Sequence, residues 1–221
     1  MKKISTVFVI NRETNLATTD VLSGDEWVVN GEGLATVKFD GSSCLIKDGV
    51  LFRRWNRKLT KKAMRAKSFA AKKGLDFVPD ESMFRPVPDG AIKCNETFDP
   101  KTLHWPHWVP VGDDAADKLH VEAFEALKAE GKVVDGTFEI CGPKIRCNPH
   151  NFDSHVLLKH GDVVVDVEDR SFEGIRAFLE SFNGEGLVFH HPDGRMAKIR
   201  KKDFGFDWNE EADPRDKNLG K

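Results

Sequence analysis

The sequence has none of the long apolar runs that would place it in a membrane. No stretch approaches the ~18 consecutive apolar residues of a membrane-spanning helix, and there is no internal repeat or low-complexity tract. The short apolar stretch at residues 7–10 is followed at once by Asn11, Arg12 and Glu13. We therefore interpret it as a first strand and not as a signal peptide, and we expect a cytoplasmic protein with no membrane partner.

Cysteine is scarce as well. The four cysteines, Cys44, Cys94, Cys141 and Cys147, fall at irregular positions and include no CxxC pair. In a chain of this size, that pattern argues against the disulfide framework of small secreted domains. A zinc site built from Cys94, Cys141, Cys147 and His150 is an alternative, but structural zinc sites usually have more closely paired ligands. We expect four reduced thiols.

A third absence concerns nucleotide binding. The sequence has no GxxxxGK[ST] pattern, which argues against a P-loop ATPase because that loop holds the phosphates in those enzymes. The chain does have material for a core, since 39% of its 221 residues are hydrophobic and it contains 16 Phe. Its length and composition predict a single domain over residues 1–221.

Charge is nearly balanced overall but unevenly distributed. The formal net charge is −2, yet residues 53–73 contain ten Lys or Arg and no acid. A second basic group lies at residues 195–202. Separate basic segments allow a near-neutral protein to bind a polyanion locally. A solvated, lysine-rich helix face is the alternative for the first segment, and the pattern leaves both open.

Hydrophobic patterning predicts a mixed fold. Helices are expected at residues 60–73, with Thr60 as the N-cap, and at residues 115–130 and 171–182. The proline-rich residues 79–110 predict an irregular connection. Because strands and helices do not alternate regularly, we expect antiparallel α+β structure. The predicted strands cover residues 35–39, 44–46, 50–55, 137–141, 156–159, 163–167, 186–191 and 195–200.

Two Asp-Gly pairs predict hairpins. A two-residue turn at Asp48-Gly49 places Arg54 opposite Ser43, beside the loop that follows Lys38. The second pair, at residues 193–194, is ambiguous. A two-residue turn puts residues 185, 187 and 189 on the face of residues 198 and 200, whereas a three-residue turn that includes Pro192 puts them on the opposite face.

Lys38 stands at the end of a predicted strand and is followed by Phe39, Asp40 and Gly41. Alone, a Lys-x-Asp-Gly tetrapeptide is typical of a surface turn. Lysine is a covalent nucleophile only when neutral, and its ordinary pKa of ~10.4 leaves few neutral amines at pH 7. A nucleophilic lysine therefore needs neighbouring cations, a metal included, or an apolar wall.

Five separated stretches resemble, in their usual order, the motifs of the covalent nucleotidyltransferases, the superfamily of ATP-dependent ligases and mRNA capping enzymes. They are Lys38-Phe39-Asp40-Gly41 (motif I), Arg54 within residues 52–57, Phe138-Glu139-Ile140 (motif III), residues 185–189 (motif IV) and Lys198-Ile199-Arg200 (motif V, more often Lys-x-Lys). The whole chain is similar to the small 5′–3′ RNA ligases, notably at residues 41–44, 108–111, 148–150 and 157–161.

The resemblance implies a ligase adenylyltransferase fold, ATP-grasp-like, in which two antiparallel sheets flanked by helices enclose a nucleotide cleft. It implies that ATP transfers AMP to Lys38 and that RNA ends are the other partners. The reaction would join a 5′-phosphate to a 3′-hydroxyl through enzyme–AMP and RNA–AMP intermediates. No obligate protein partner is evident.

The resemblance also implies residue roles. Lys38 would be the nucleophile, and the nucleotide would be bound by Val37, Arg54, Glu139, Glu185, Lys198 and Arg200. An all-oxygen set suited to hydrated Mg²⁺ or Mn²⁺ would be formed by Asp40, Glu139 and Glu185. The basic segment adds candidates for RNA binding, which are Arg57, Lys58, Lys61, Lys62 and Arg65.

Two features depart from the superfamily pattern. Only about twenty residues follow Arg200, so we expect no C-terminal OB-fold. Where the superfamily usually has an aromatic that stacks on the base, residues 155–158 offer only histidine and aliphatics. Three alternatives follow. A nick-sealing DNA ligase and a capping-type guanylyltransferase usually carry the OB-fold. A non-catalytic RNA- or nucleotide-binding module predicts the loss of one of the five motifs, and none is lost.

Overall fold

The computed structural model describes residues 4–208. Within this range there are four α-helices, α1 (Glu26–Val29), α2 (Lys61–Lys73), α3 (Lys118–Ala129) and α4 (Phe172–Ser181). The strands, in chain order, are β1 (Ser5–Thr6), β2 (Phe8–Ile10), β3 (Ala17–Val21), β4 (Leu34–Lys38), β5 (Ser42–Lys47), β6 (Val50–Arg57), β7 (Ile92–Lys93), β8 (Trp105–Pro110), β9 (Gly136–Cys141), β10 (Val156–Lys159), β11 (Val164–Val165), β12 (Gly186–His190) and β13 (Met196–Arg200). None of the helices among residues 4–208 has the length and apolar character needed to span a bilayer.

The first large sheet has the strand order β1-β13-β12-β4-β11. Its pairs are antiparallel except for β1, which runs parallel to β13 with Ser5 opposite Ala197. The α+β class is confirmed, but the expectation of two antiparallel sheets is wrong here, because the first strand of the chain lies parallel at the edge. One face of this sheet packs Leu187, Phe189 and Ile199 against α4 and α1 in a buried core.

The second large sheet has the order β10-β9-β5-β6-β8-β7 and is antiparallel throughout. Its core face carries Ile46, Phe138 and Ile140, which pack against Phe124 and Leu127 of α3. Alternation along the strands then turns the neighbouring side chains, such as Glu139, to the opposite face. Each sheet therefore has one face in a core of its own and one face available for a site.

The proline-rich residues 79–110 are not wholly irregular, contrary to the sequence prediction. They include β8, which pairs along its whole length with β6. The N–H of Cys94 donates to the carbonyl of Pro106 (3.0 Å). Pro106 therefore directs its nitrogen, like its carbonyl, towards the side of the two-residue strand β7. Pro110, four residues further along the strand, does the same. Neither proline removes a hydrogen bond to β6, which is why a central strand tolerates both.

The two predicted hairpins are present with different turns. Asp48 and Gly49, at φ 52° and 73°, form the predicted two-residue turn, and Leu45 pairs with Phe52. The second hairpin takes the three-residue turn, because the N–H of His191 donates to the carbonyl of Arg195 (2.9 Å). Val188 therefore pairs with Lys198, and residues 187 and 189 lie on the opposite face from Lys198.

The predicted helices are present, with some changes at their ends. The hydroxyl of Thr60 accepts a hydrogen bond from the N–H of Ala63 (3.2 Å), and α2 ends at Gly74, which adopts the left-handed conformation at φ 65°. The third helix begins at Lys118 and not at residue 115. The strand expected at residues 163–167 is confined to β11.

Candidate functional site

A cavity of about 640 Å³ lies between the free faces of the two large sheets. The first sheet contributes Thr36, Lys38, Val188, His190 and Lys198 to its wall, and the second contributes Ser43, Arg54, Thr137 and Glu139. Strand register explains this selection, because residues 36, 188 and 198 are cross-strand neighbours on one face. The volume lies within the range of ~300–1,000 Å³ that is typical of small-molecule sites.

The amine of Lys38 contacts the carboxylate of Glu185 and also lies 3.4 Å from the carbonyl oxygen of Phe39. The two side chains are 22% and 13% exposed, so the ion pair is largely shielded from water. Burial raises the pKa of Glu185, and the positive charge of Lys38 opposes this rise. Glu185 is thus a carboxylate with an unusual affinity for a proton, in contact with the predicted nucleophile.

Lys198 lies in the cavity wall, on the face that it shares with Lys38. Burial, together with the neighbouring cations Arg200 and Lys38, lowers the pKa of Lys198 to about 8. An anion bound in this part of the cavity would relieve the repulsion between Lys198 and these two neighbouring cations.

Arg200 is placed differently from the prediction. It lies on the same sheet face as Lys198, but its guanidinium is paired with the buried carboxylate of Asp203 (Nη2 to Oδ1, 2.7 Å). Arg200, Glu185 and Asp40 are close to the cavity residues in sequence but do not line the cavity. Val37 does line it, although its N–H already donates to the carbonyl of Val163 (2.9 Å).

Glu139 is buried and takes part in a network on the second sheet. Its carboxylate accepts a hydrogen bond from the hydroxyl of Ser43 (3.1 Å) and contacts Nε2 of His160 (3.0 Å). The other ring nitrogen of His160 lies 3.0 Å from the hydroxyl of Thr137. His160 also lines the cavity. Sequence reasoning gave it no role, and only its place within the similar stretch at residues 157–161 pointed to it.

The predicted metal ligands are not gathered into one cluster. Glu139 is bound to Ser43 and His160, Glu185 contacts Lys38, and Asp40 lies 4.0 Å from the guanidinium of Arg146. No group of three His, Cys, Asp or Glu side chains within residues 4–208 is arranged to hold a metal ion. The alternative zinc site is not among such groups in this range, and the four cysteines, which all fall in it, form no disulfide with one another.

The segment after Lys38 is fixed by residues 140–150. The N–H of Asp40 donates to Nε2 of His150 (3.0 Å), and the rings of Phe39 and His150 meet edge to face at 5.4 Å. A Cβ at Gly41 would lie 2.2 Å from the carbonyl oxygen of Ile140, so only glycine fits there. His150 holds the tetrapeptide in place, a role that the sequence did not reveal.

This hydrogen bond predicts a pH dependence. A backbone N–H can only donate, so Nε2 of His150 must be unprotonated, and burial lowers the pKa of His150. The stabilisation is therefore complete above the ordinary pKa of histidine and is lost as the pH falls towards the lowered pKa. Between pH 7 and pH 5, we expect the free energy of unfolding in urea to fall by about 1 kcal/mol more for wild type than for His150→Gln. The reason is that the amide oxygen of glutamine accepts the hydrogen bond and does not titrate.

The exposed His104, which has no such bond, provides the control for this experiment. Replacement of His104 by Gln should leave the difference between pH 7 and pH 5 as it is in wild type. Equal acid sensitivity of the wild type and the His150→Gln variant would contradict the assigned hydrogen bond.

A second contribution to the cavity comes from residues 95–104, which the sequence predicts only as part of an irregular connection. Asn95, Asp99, Thr102 and His104 line the cavity. The segment is held by backbone bonds between Asp99 and both Leu103 and His104 (2.8 and 2.9 Å). It has no periodicity that could have identified it.

The basic segment divides into buried and exposed parts. Arg57 was predicted to bind RNA, but it is 6% exposed, donates to the carbonyl of Arg85 (2.7 Å) and to Glu81 (2.8 Å), and lies 4.5 Å from the Trp105 ring centre. Arg57 thus has a structural role, and the RNA-binding prediction for it is not retained. Arg54 lines the cavity, whereas Lys58, Lys61, Lys62 and Arg65 are exposed.

No protein-family model matches the sequence, and a search of curated proteins finds no match.

Proposed function

We propose that the protein is an ATP-dependent RNA ligase that joins a 5′-phosphate to a 3′-hydroxyl through AMP bound covalently to Lys38. The observation that carries the proposal is the position of Lys38, which lines a nucleotide-sized cavity together with a second cation, Lys198, and whose amine contacts a proton acceptor, Glu185.

In the first step, the amine of Lys38 attacks the α-phosphorus of ATP. The new P–N bond forms as the bond between this phosphorus and the oxygen bridging to the β-phosphate breaks, and pyrophosphate leaves. Two protons are lost from the ammonium group. Glu185 accepts the one that must leave before the attack, and the second passes to pyrophosphate or water. The raised pKa of Glu185 suits it for this acceptance.

Lys198 binds the α-phosphate in this proposal, and Arg54 binds a second group. Lys198 is charged below pH of about 8, and it would stabilise the negative charge on the α-phosphate oxygens while the bonds change. Arg54, on the opposite wall, would contact either the nucleotide or the RNA end. Glu139 is held rigidly by Ser43 and His160, as a group that binds a ribose hydroxyl should be.

The oxygen ligands Asp40, Glu139 and Glu185 fit Mg²⁺ or Mn²⁺ by their chemistry. Because each already has a protein partner, they suit an ion that keeps most of its water molecules. Such an ion would neutralise charge on the phosphates of ATP.

Two transfers complete the reaction. An oxygen of the RNA 5′-phosphate attacks the phosphorus of the AMP, a P–O bond replaces the P–N bond, and the Lys38 amine is released. The RNA 3′-hydroxyl then loses its proton and attacks the 5′-phosphate, and AMP leaves as the phosphodiester forms. Both steps depend on alignment and charge stabilisation more than on further covalent chemistry.

The test is incubation of the wild-type protein with Mg²⁺ and ATP that is labelled at either the α- or the γ-phosphate, followed by a denaturing gel. We expect the α-label to remain on the protein, the γ-label to be lost, and added 5′-phosphorylated RNA to remove the α-label. ATP binding without covalent label would instead favour the non-catalytic nucleotide-binding module.

The choice between RNA and DNA predicts a second result. The 2′-hydroxyl is the group that distinguishes the two at the reacting end, and a hydrogen bond from a charged group such as Arg54 to it is worth about 1.5–3 kcal/mol. We therefore expect a 3′-terminal ribose to be sealed at least ~10-fold faster than a deoxyribose in otherwise identical 5′-phosphorylated substrates. Equal or faster sealing of the deoxyribose end would favour a DNA ligase.

A further inference from the structure

The helix α2 is almost entirely exposed. Of its 13 residues only Ala63 and Ala70 are buried, and Ala63 packs with Leu59, Phe84 and Trp105 in a small core. A surface helix usually buries an apolar stripe at least ~100° wide. Two alanines spaced seven residues apart make a much narrower contact, so most of the helix surface faces outwards.

The outward surface has a definite composition. Lys61, Arg65, Ser68 and Lys72 project opposite the two buried alanines, because successive residues turn by about 100° around a helix. Met64 and Phe69 lie on either side of this row, and they are 52% and 59% exposed. These six residues line a shallow concavity of about 470 Å³, which we call the α2 face.

The charge on the α2 face is uncompensated. The helix carries six Lys or Arg and no acid, and none of these cations forms a salt bridge with another residue in the part of the chain that the structure describes. The absence of any acid from residues 53–73 therefore fits a polyanionic ligand.

The helix and the cavity rest on the same small core. Phe98 and Leu103 also pack against the cluster of Leu59, Ala63, Phe84 and Trp105. They belong to residues 95–104, which line the cavity. The segment that lines the cavity and the helix α2 therefore share this core.

We propose that the α2 face binds single-stranded RNA, with phosphates along the row of Lys61, Arg65 and Lys72 and an unpaired base stacked on Phe69. Proteins that bind single strands combine a cationic track with an aromatic side chain in this way. The proposal rests on the proposed ligase function only in taking RNA as the substrate.

The arrangement does not suit a membrane surface. A helix that lies in a bilayer interface gathers its apolar residues on one face. Here Met64 and Phe69 are roughly 140° apart around the axis, with the cationic row between them. Inserting both into lipid would bury the cations as well.

The test measures binding of a fluorescent single-stranded RNA to the full chain by anisotropy, without ATP. Arg65→Gln and Lys67→Gln form a matched pair, because both lie on α2 and lose one charge, but Lys67 projects towards the side of the buried alanines. We expect Arg65→Gln to weaken binding and Lys67→Gln to remain within about 2-fold of wild type. The double variant Lys61→Gln/Lys72→Gln should reduce the salt slope by about 1.4.

Phe69→Leu tests the stacking contact, because leucine keeps an apolar side chain of good helix propensity and removes the ring. We expect binding to weaken by about 5- to 150-fold. Equal effects of Arg65→Gln and Lys67→Gln, or no effect of Phe69→Leu, would overturn the proposal in favour of a solvated face.

A parallel measurement uses vesicles of phosphatidylserine and phosphatidylcholine. Loss of vesicle binding in these variants, with RNA binding unchanged, would assign the face to membranes and contradict the proposal. Failure of the proposed function has a separate signature, because it is seen as missing α-label on the wild-type protein, whereas the anisotropy assay involves no nucleotide transfer.

Discussion

Lys38→Ala is expected to lose all covalent label from α-labelled ATP, and with it all RNA sealing. Alanine has no amine with which to form the P–N bond, so no residual pathway remains. The variant also leaves the largely buried carboxylate of Glu185 without its cation, which costs about 1–3 kcal/mol of stability. Measurements should therefore be made well below the temperature of unfolding, and circular dichroism should verify the fold.

Lys38→Arg separates the nucleophile from the ion pair. Arginine keeps a positive charge beside Glu185, but its guanidinium stays protonated and is not nucleophilic. We expect near-native stability and no label. The exposed Lys47, at the turn of the β5–β6 hairpin, is the matched control, and Lys47→Arg should label as wild type. Label on Lys38→Arg, or peptide mapping to Lys198, would contradict the assignment.

The sequence predicted those parts of the fold that local chemistry specifies. Asp48 and Gly49 both adopt positive φ, and that requirement alone selects a two-residue turn and its register. The second hairpin was ambiguous because Pro192, Asp193 and Gly194 satisfy either turn. The choice became clear only from the cross-strand pairing of Val188 with Lys198.

The strand β8 shows why the remainder was not predictable. In the sequence, Pro106 and Pro110 predict an interruption of secondary structure. Their actual effect depends on which neighbouring strand their nitrogen atoms face. Here that neighbour is the short strand β7, a fact of tertiary pairing. Arg57 is a similar case, because its burial against Trp105 follows from the pairing of β6 with β8 and not from the run of charges around it.

The candidate site was predictable where it lies on strands. Lys38, Glu139 and Lys198 come from motif positions, and the sheets bring their side chains to one cavity. His150, by contrast, follows Arg146, Cys147 and Asn148, three consecutive residues at positive φ (49°, 59° and 55°). Such a segment has no periodicity, so its approach to the N–H of Asp40 could not be inferred from the sequence.

Lys198→Ala is expected to lower the rate of Lys38 labelling by ~10² or more, the usual effect of removing one group that stabilises charge in the transition state. The side chain contributes to the cavity wall, and its charge is repelled by Arg200 and Lys38. Removing it should therefore not lower stability through lost electrostatic attraction. A labelling rate near that of wild type would mean that the phosphates lie elsewhere.

The pH dependence gives a sharper test of the same residue. Burial lowers the pKa of Lys198 to about 8, so the folded protein binds fewer protons than the unfolded chain between about pH 8 and the ordinary pKa of lysine. The contribution of Lys198 to the free energy of unfolding is therefore lost as the pH falls through this range. The positive charge with which Lys198 would bind phosphate depends on pH in the opposite way. In the free protein this charge disappears as the pH rises above about 8.

The second prediction follows from the positive charge of Lys198. For wild type, kcat/KM for ATP in the labelling reaction should fall above pH of about 8, because this ratio reports the ionisation of the free protein. In Lys198→Arg the charge persists, so the fall should move to higher pH even if the rate at pH 7 is reduced. Bound ATP stabilises the ammonium form, so kcat should fall at higher pH than kcat/KM. An alkaline fall at the same pH in wild type and Lys198→Arg would assign the titration to another group and remove Lys198 from the phosphate site.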